Sequence, residues 1–297
     1  MADISQDSNN NATTMQDATE DSDLLERGTD ENPLLDDNDE PQHAQGVEAS
    51  DDGNDEALIR EEWLMQLRRI QTMACFVSHG LSVLGVILVL VWVHLLGGLS
   101  WKEGESKKVF NWHPLLMIVA FCFMTVASLS FRFPLRSNNR WTTKFVHGAA
   151  WFVAGISAFI ALLAVFKSHN DKVSGFIANL YSLHSWIGMG VIGLYVVQFL
   201  AGFFSFGMQV TSRTQRAKLL TLHSFLGPFI YVAMTATVLL GIQEKEGFVK
   251  CGYTVDKADT FPLSHLGQIP PACLVSHILG IVVLGTALCT IFALHNF

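Results

Sequence analysis

The first 59 residues contain no Phe, Tyr or Trp and only one basic side chain, Arg27. They hold 18 of the chain's 27 Asp and Glu residues, so this stretch carries a net charge of −17. Low hydrophobicity with high net charge cannot bury enough apolar surface to offset the entropy of ordering. A folded N-terminal domain is thereby excluded, and residues 1–59 are expected to form a disordered acidic tail. An apolar h-region is also missing from residues 1–60, which argues against a secretory signal. In the rest of the chain charge is the scarce commodity: 18 basic and 9 acidic residues are spread over 238 positions, a net of +9. The formal charge of −8 is therefore a sum over two unlike regions. Cysteine is sparse, with five residues and no Cys-x-x-Cys, so neither a zinc ribbon nor a thioredoxin-type site is expected. Nucleic acid is not an expected partner.

What the body does have is long apolar runs, at about 73–98, 112–131, 145–166, 182–207, 220–242 and 271–294. Each is near the ~20 residues that a helix needs to cross ~30 Å of hydrocarbon. The short connections favour a helical bundle over a barrel. The expected fold is an all-α membrane protein with six transmembrane helices over residues 60–297. Arg60, Arg68 and Arg69 precede the first run. Arg132, Arg136, Arg140 and Lys144 follow the second, and Arg213, Arg216 and Lys218 follow the fourth. The alternate loops mix signs. Under the positive-inside rule both termini are cytosolic and the protein is multi-pass. Cys75, Cys122 and Cys289 lie inside runs, as small buried hydrophobes do. Cys251 and Cys273 flank the last non-cytosolic loop, where an oxidising compartment would allow a disulfide.

Residues that coordinate metals are costly inside a membrane and functional by default. Of the eleven His, six (His43, His79, His94, His265, His277 and His295) read as structural or interfacial. His113, His147, His184 and His223 form a pattern: each stands near the start of one of four consecutive spans, with gaps of 34, 37 and 39 residues. Successive spans are antiparallel, so His113 and His184 fall near the outer face and His147 and His223 near the cytosolic face. Two facing imidazoles suit a six-coordinate haem iron, which carries electrons without binding oxygen or substrate. Zinc or copper would want three or four converging ligands. Two such irons would stand roughly 18–20 Å apart along the bundle. Gly148, Ala149 and Ala150 after His147, Gly188 and Gly190 after His184, and Gly227 after His223 leave room for a flat macrocycle; ordinary close packing of membrane helices asks for the same residues.

The segments Phe110-Asn-Trp-His-Pro-Leu-Leu-Met117, Lys144-Phe-Val-His-Gly148 and Leu180-Tyr-Ser-Leu-His-Ser-Trp186 resemble the signature segments of the cytochrome b561 family. The likeness runs over residues ~72–295. It implies a central four-helix bundle holding two b haems, ligated by His113 with His184 and by His147 with His223. It also implies a homodimer, ascorbate as cytosolic electron donor, and ferric iron or monodehydroascorbate as acceptor on the other side. Position by position, Arg140, Lys144 and Arg216 match residues that contact ascorbate. That assignment suits a monoanion, although the positive-inside rule alone accounts for the same charges. Asn179, Leu180, Tyr181, Ser182 and Glu244 match contacts of the outer haem, Arg132 matches a contact of the inner one, and His169 matches a residue at the outer substrate site. Trp151 stands where many animal members have a second His.

The tail carries two acidic dileucine patterns, Glu20-Asp-Ser-Asp-Leu24-Leu25 and Asp30-Glu-Asn-Pro-Leu34-Leu35. They resemble the signals that clathrin adaptors read, and suggest a late endosome, lysosome or secretory-vesicle membrane. Asn11-Ala12-Thr13 is a glycosylation sequon that a cytosolic tail would leave unused. The competing reading is a non-catalytic membrane adaptor or sorting protein on the same fold, against which the presence of all four His stands. A proton-coupled carrier would need intramembrane carboxylates, and no Asp or Glu lies in the core of any run.

Overall fold

The computed structural model describes residues 51–132, 136–251 and 269–295. The tail motifs, His43 and His265 lie outside the described residues. Among the described residues there is no strand. The helices are α1 (Asp51–Leu95), the short α2 (Ser106–Phe110), α3 (Trp112–Leu129), α4 (Arg140–His169), α5 (Leu183–Gly202), α6 (Arg213–Phe248) and α7 (Pro271–Leu294). A π-helical turn over Phe203–Gly207 continues α5. Six helices are long and apolar enough to cross a membrane, and they contain the six apolar runs to within a few residues.

One boundary moves. Helix α1 begins at Asp51, so residues 51–59 are helical rather than part of the acidic tail. The local charge explains it: Asp55 and Glu56 sit in the first two turns, where carboxylates complement the positive end of the helix dipole. At 45 residues the helix is about 67 Å long, twice what a bilayer core requires.

Water cannot drive helix association in hydrocarbon, so close approach and hydrogen bonds must do it. Helix α4 is built for approach: its buried stripe is Ala150, Ala154, Ser157, Ala158, Ala161 and Ala164, and it lies along α3. Helices α1 and α7 pair through Ser78, whose Oγ lies 2.6 Å from Thr290 Oγ1. The same Thr290 lies 3.2 Å from the Tyr231 hydroxyl of α6, which in turn is 2.7 Å from Thr125 Oγ1 of α3. This four-helix polar chain is worth about 0.6 kcal/mol per link, and it satisfies hydroxyls that lipid would leave bare. The carbonyls at the end of α7 are capped from elsewhere: Gln71 donates to His295 O at 2.6 Å, and Arg132 donates to Leu294 O. At its other end, a Cys251–Cys273 disulfide ties α7 to the residue chain leaving α6.

Helices α3 and α4 form one antiparallel pair and α5 and α6 another, with α3 against α6. Helices α4 and α5 meet through side chains: Tyr195 donates to Trp151 O at 2.7 Å, and the Phe152 and Phe199 rings stack at 6.3 Å. The bundle thus has a basic end, with Arg132, Arg136, Arg140, Lys144, Arg213 and Arg216, and a far end, where α2 and the disulfide lie.

Candidate functional site

The four His meet in the two expected pairs. At the far end the His113 and His184 ring centroids are 6.0 Å apart with planes at 83°. At the basic end those of His147 and His223 are 6.2 Å apart at 63°. Two imidazoles bound through Nε2 on opposite sides of one metal ion, at about 2 Å each, put their centroids about 6 Å apart.

Backbone carbonyls fix the rings. His184 Nδ1–H donates to Thr237 O at 2.9 Å, and His147 Nδ1–H donates to Ala127 O at 2.8 Å. His113 Nδ1 faces Ala161 O at the longer 3.4 Å. An imidazole whose Nδ1 proton goes to a carbonyl leaves the Nε2 lone pair free to coordinate. His223 differs, because its buried Nδ1 has no partner among the described residues.

Glycines make the space. A Cβ on Gly241 would stand 2.7 Å from His184 Cε1, and one on Gly202 would stand 3.0 Å from His223 Cε1. Neither glycine stands out from the sequence alone, but the spacing holds a signal. Ala127 follows His113 by 14 residues and Ala161 follows His147 by 14; Gly202 follows His184 by 18 and Gly241 follows His223 by 18. These are about four and five helical turns, so each helix offers on one face a His for its own end and a seat for its partner's His at the other. By contrast, a Cβ on Gly148, Gly190 or Gly227 would have no protein atom within 4 Å.

The far-end pair opens into a cavity with an empty volume of about 1190 Å³, its open mouth included. His169, Asn179, Leu180, Tyr181, Ser182 and Glu244 all lie on its wall with His113 and His184. The loop is held by its own chemistry. Leu180 adopts a left-handed φ of 54° and accepts from Trp186 Nε1 at 3.0 Å, while Ser182 caps α5 by accepting from Ser185 N. Tyr181 donates to Glu244 Oε1 at 2.6 Å. Burial, with that carboxylate beside it, pushes the Tyr181 phenol up, so it stays a donor. His169 Nδ1 lies 3.2 Å from Asn179 Oδ1, and its ring stacks on Phe110.

The basic end is more open. Arg140 and Lys144 are exposed, one turn apart on the first turns of α4, and Arg216 donates to Thr211 O at 2.9 Å on the first turn of α6. Arg132 donates to the end of α7; the ring of its neighbour Phe131 packs on His147 at 5.2 Å, and Ser130 Oγ lies 3.2 Å from His147 Nδ1. Phe206 of the π turn packs on His223 at 5.3 Å. Phe131, Ser130 and Phe206 escaped the sequence reading, since an aromatic or a Ser near a span end is unremarkable.

The sequence model described as eukaryotic cytochrome b561 matches residues 112–249, which contain all four His. The transmembrane ascorbate ferrireductase 1 of Arabidopsis thaliana is 37% identical over 188 residues, 62% of this chain and 76% of that protein. The chain belongs to the cytochrome b561 family. Another b561 relative, the probable ascorbate-specific transmembrane electron transporter 2 of Oryza sativa subsp. japonica, is 35% identical over 65% of this chain and 82% of its own length. The plasma membrane ascorbate-dependent reductase CYBRD1 of Xenopus laevis is 41% identical over 56% of this chain; the match spans 58% of that relative's length.

The family binds haem b, and the residues present fit it. Two pairs of imidazoles stand at the required separation, with Nδ1 turned to a carbonyl in three of the four rings. No three His, Cys, Asp or Glu side chains converge among the described residues, so each donor set consists of two imidazoles on opposite sides of a gap.

Proposed function

We propose that the chain transfers electrons across a membrane, from ascorbate on the cytosolic face to ferric iron or monodehydroascorbate on the opposite face. The basic end is the cytosolic one in this reading. His147 and His223 hold one b haem there, and His113 and His184 hold a second at the far end. The observation that carries the reading is the pair of imidazole pairs, one at each end of the bundle, at 6.2 and 6.0 Å. The named activities of the relatives supply the donor. Haem held by these two imidazole pairs would supply one-electron couples.

The rest falls to side chains. Arg140, Lys144 and Arg216 gather and orient the ascorbate monoanion, which bulk water would otherwise leave free to diffuse past. Asn179, Leu180, Tyr181, Ser182 and Glu244 wall the far-end haem, Arg132 supports the inner one, and His169 meets the acceptor at the cavity mouth. The open space beside Gly148, Gly190 and Gly227 suits approach by a macrocycle. The working protein in this reading is a homodimer in a late endosomal, lysosomal or secretory-vesicle membrane. The acidic segment ahead of α1 is the address, read by clathrin adaptors through its dileucines.

Liposomes loaded with ascorbate and bearing the purified protein test the function. Ferric chelate added outside is expected to be reduced, and monodehydroascorbate offered in a parallel run names the better acceptor by rate. Transfer to neither, from protein with a full Soret band, would refute the proposal.

A further inference from the structure

Among the described residues, Lys245 is a cation without a counter-ion at the far end. It stands on the last turn of α6, half-buried, on the wall of the cavity that holds His113 and His184. Its Nζ lies 4.4 Å above the Phe110 ring centroid. That same ring is 5.8 Å from the His113 ring and stacks on His169 at 6.2 Å. Phe110 is thus a platform shared by a haem-ligand candidate, a buried residue of the cavity wall and the ammonium.

The nearby carboxylates are committed elsewhere. Glu244 Oε1 accepts from Tyr181, while its buried Oε2 has no hydrogen-bond partner among the described residues and forms no ion pair with Lys245; Glu246 accepts from Ser276 at 2.5 Å and lies 3.5 Å from His277. Glu105 pairs with Lys108 at 3.0 Å, and Asp171 accepts from the backbone of Gly104, Val173 and Ser174. Among the described residues Lys245 has no ion pair. A cation–π contact contributes about 0.5–2 kcal/mol but leaves the charge whole. A desolvated ammonium without an anion is costly, so this arrangement is explained if an anion completes it.

We propose that Lys245 is the anion-holding residue of the far-end cavity, with its ammonium presented by Phe110 to a carboxylate-type oxygen of the cavity's occupant. Two sources share that chemistry: a propionate of the haem held by His113 and His184, and an anionic acceptor such as citrate-chelated ferric iron at the mouth. The inference rests on the function proposed above.

The test uses the full-length, haem-loaded protein and its Lys245→Gln, Lys245→Arg and Phe110→Leu variants. Two readouts separate the sources. The midpoint potentials of the haems are titrated without acceptor, and KM is measured for ferric citrate and for cationic ruthenium hexaammine. If the anion is a propionate, Lys245→Gln lowers one midpoint potential, because the more negative reduced state loses a positive neighbour, and both KM values hold. If it is the acceptor, the potentials hold while KM for ferric citrate rises about tenfold, the worth of one charge-assisted hydrogen bond, and KM for the cation does not rise. Lys245→Arg stays near wild type in either case, and Phe110→Leu gives the same shift at smaller size. Should Lys245→Gln fail to assemble, Phe110→Leu carries the measurement. Normal haem content with potentials and KM values unmoved in every variant that assembles overturns the inference. A wild-type protein without a Soret band would instead overturn the function on which it rests.

Discussion

The two ends of the bundle are built on one plan and finished differently. At each, a His near the start of one helix seats against a residue 14 or 18 positions beyond the His of its antiparallel neighbour. The far end is then walled: His184 has a carbonyl partner, a capped loop with a left-handed residue lines the pair's cavity, and a disulfide ties α7 in place. At the basic end His223 Nδ1 is buried without a partner among the described residues, and α5 leaves α-helical geometry at Phe203, the residue after its seating glycine. Helix α6 stays α-helical past Gly241. The comparison teaches that ligand spacing can be repeated cheaply, whereas the shell around each ligand is made separately. A walled cavity suits an end that must select what reaches it, and exposed cations suit an end that admits a small anion from solution.

The largest test of that division is ligand removal. His113→Ala is expected to lose the far-end haem and keep the other, and His147→Ala the reverse; both abolish transfer across the liposome. Haem counted by pyridine haemochromogen, with low-spin EPR signals assigning the survivor, would break the plan if either variant lost both or neither. Next come the seats. Gly241→Ala forces a contact of 2.7 Å on His184 and Gly202→Ala one of 3.0 Å on His223, so both lose haem affinity, Gly241→Ala by more. Overpacking of this kind costs about 1–3 kcal/mol. Haem extraction from wild type sharpens the contrast further. A ligand without its second partner binds about 10–100-fold more weakly, so the basic-end haem should leave first when apomyoglobin competes for it.

The sequence displayed the four paired His because a His inside an apolar run is costly, and four of them at nearly even spacing stand out against a background that lacks polar residues. It displayed the spans for the same reason. Gly202 and Gly241 were not legible, since glycine is common in membrane helices and only the neighbouring helix reveals which one receives a ring. Phe131 and Phe206 are apolar residues in an apolar protein. The start of α1 was missed because whole-segment charge outweighed its placement: acids destabilise a compact fold on average but stabilise the first turn of a helix. Asn179, Leu180, Tyr181 and Ser182 are singled out in the sequence by family likeness alone, and nothing in their own chemistry predicts the left-handed turn at Leu180.

Smaller effects are expected from the charges that distinguish the ends. Lys144→Gln and Arg216→Gln should each raise KM for ascorbate about tenfold, with the far-end acceptor's KM unchanged. Added salt should narrow the difference from wild type, because these side chains are exposed or partly so. A rise in acceptor KM of equal size would mean that the two ends do not bind separately.

The smallest expected effect concerns Asp171, which links the two far-end loops. Its Oδ1 accepts from Val173 and Ser174 N–H at 2.9 Å each, and its Oδ2 accepts from Gly104 N–H at 2.8 Å. These donors, Ser174 first, hold the carboxyl below the ordinary Asp range. A lowered value means that the folded state favours the carboxylate. The contribution to loop order is therefore present above about pH 4, and fades as pH falls through the lower folded value. Exchange of the Gly104 and Ser174 amides, referred to the intrinsic rate at each pH, should keep its protection at pH 5 and lose it as pH falls below about 4. Asp171→Asn keeps one acceptor but no charge, so its protection should be lower at pH 5 and flat across the same range. Basic-end amides, which no such carboxylate gathers, provide the internal reference, and an equal pH response there would assign the effect to global loosening.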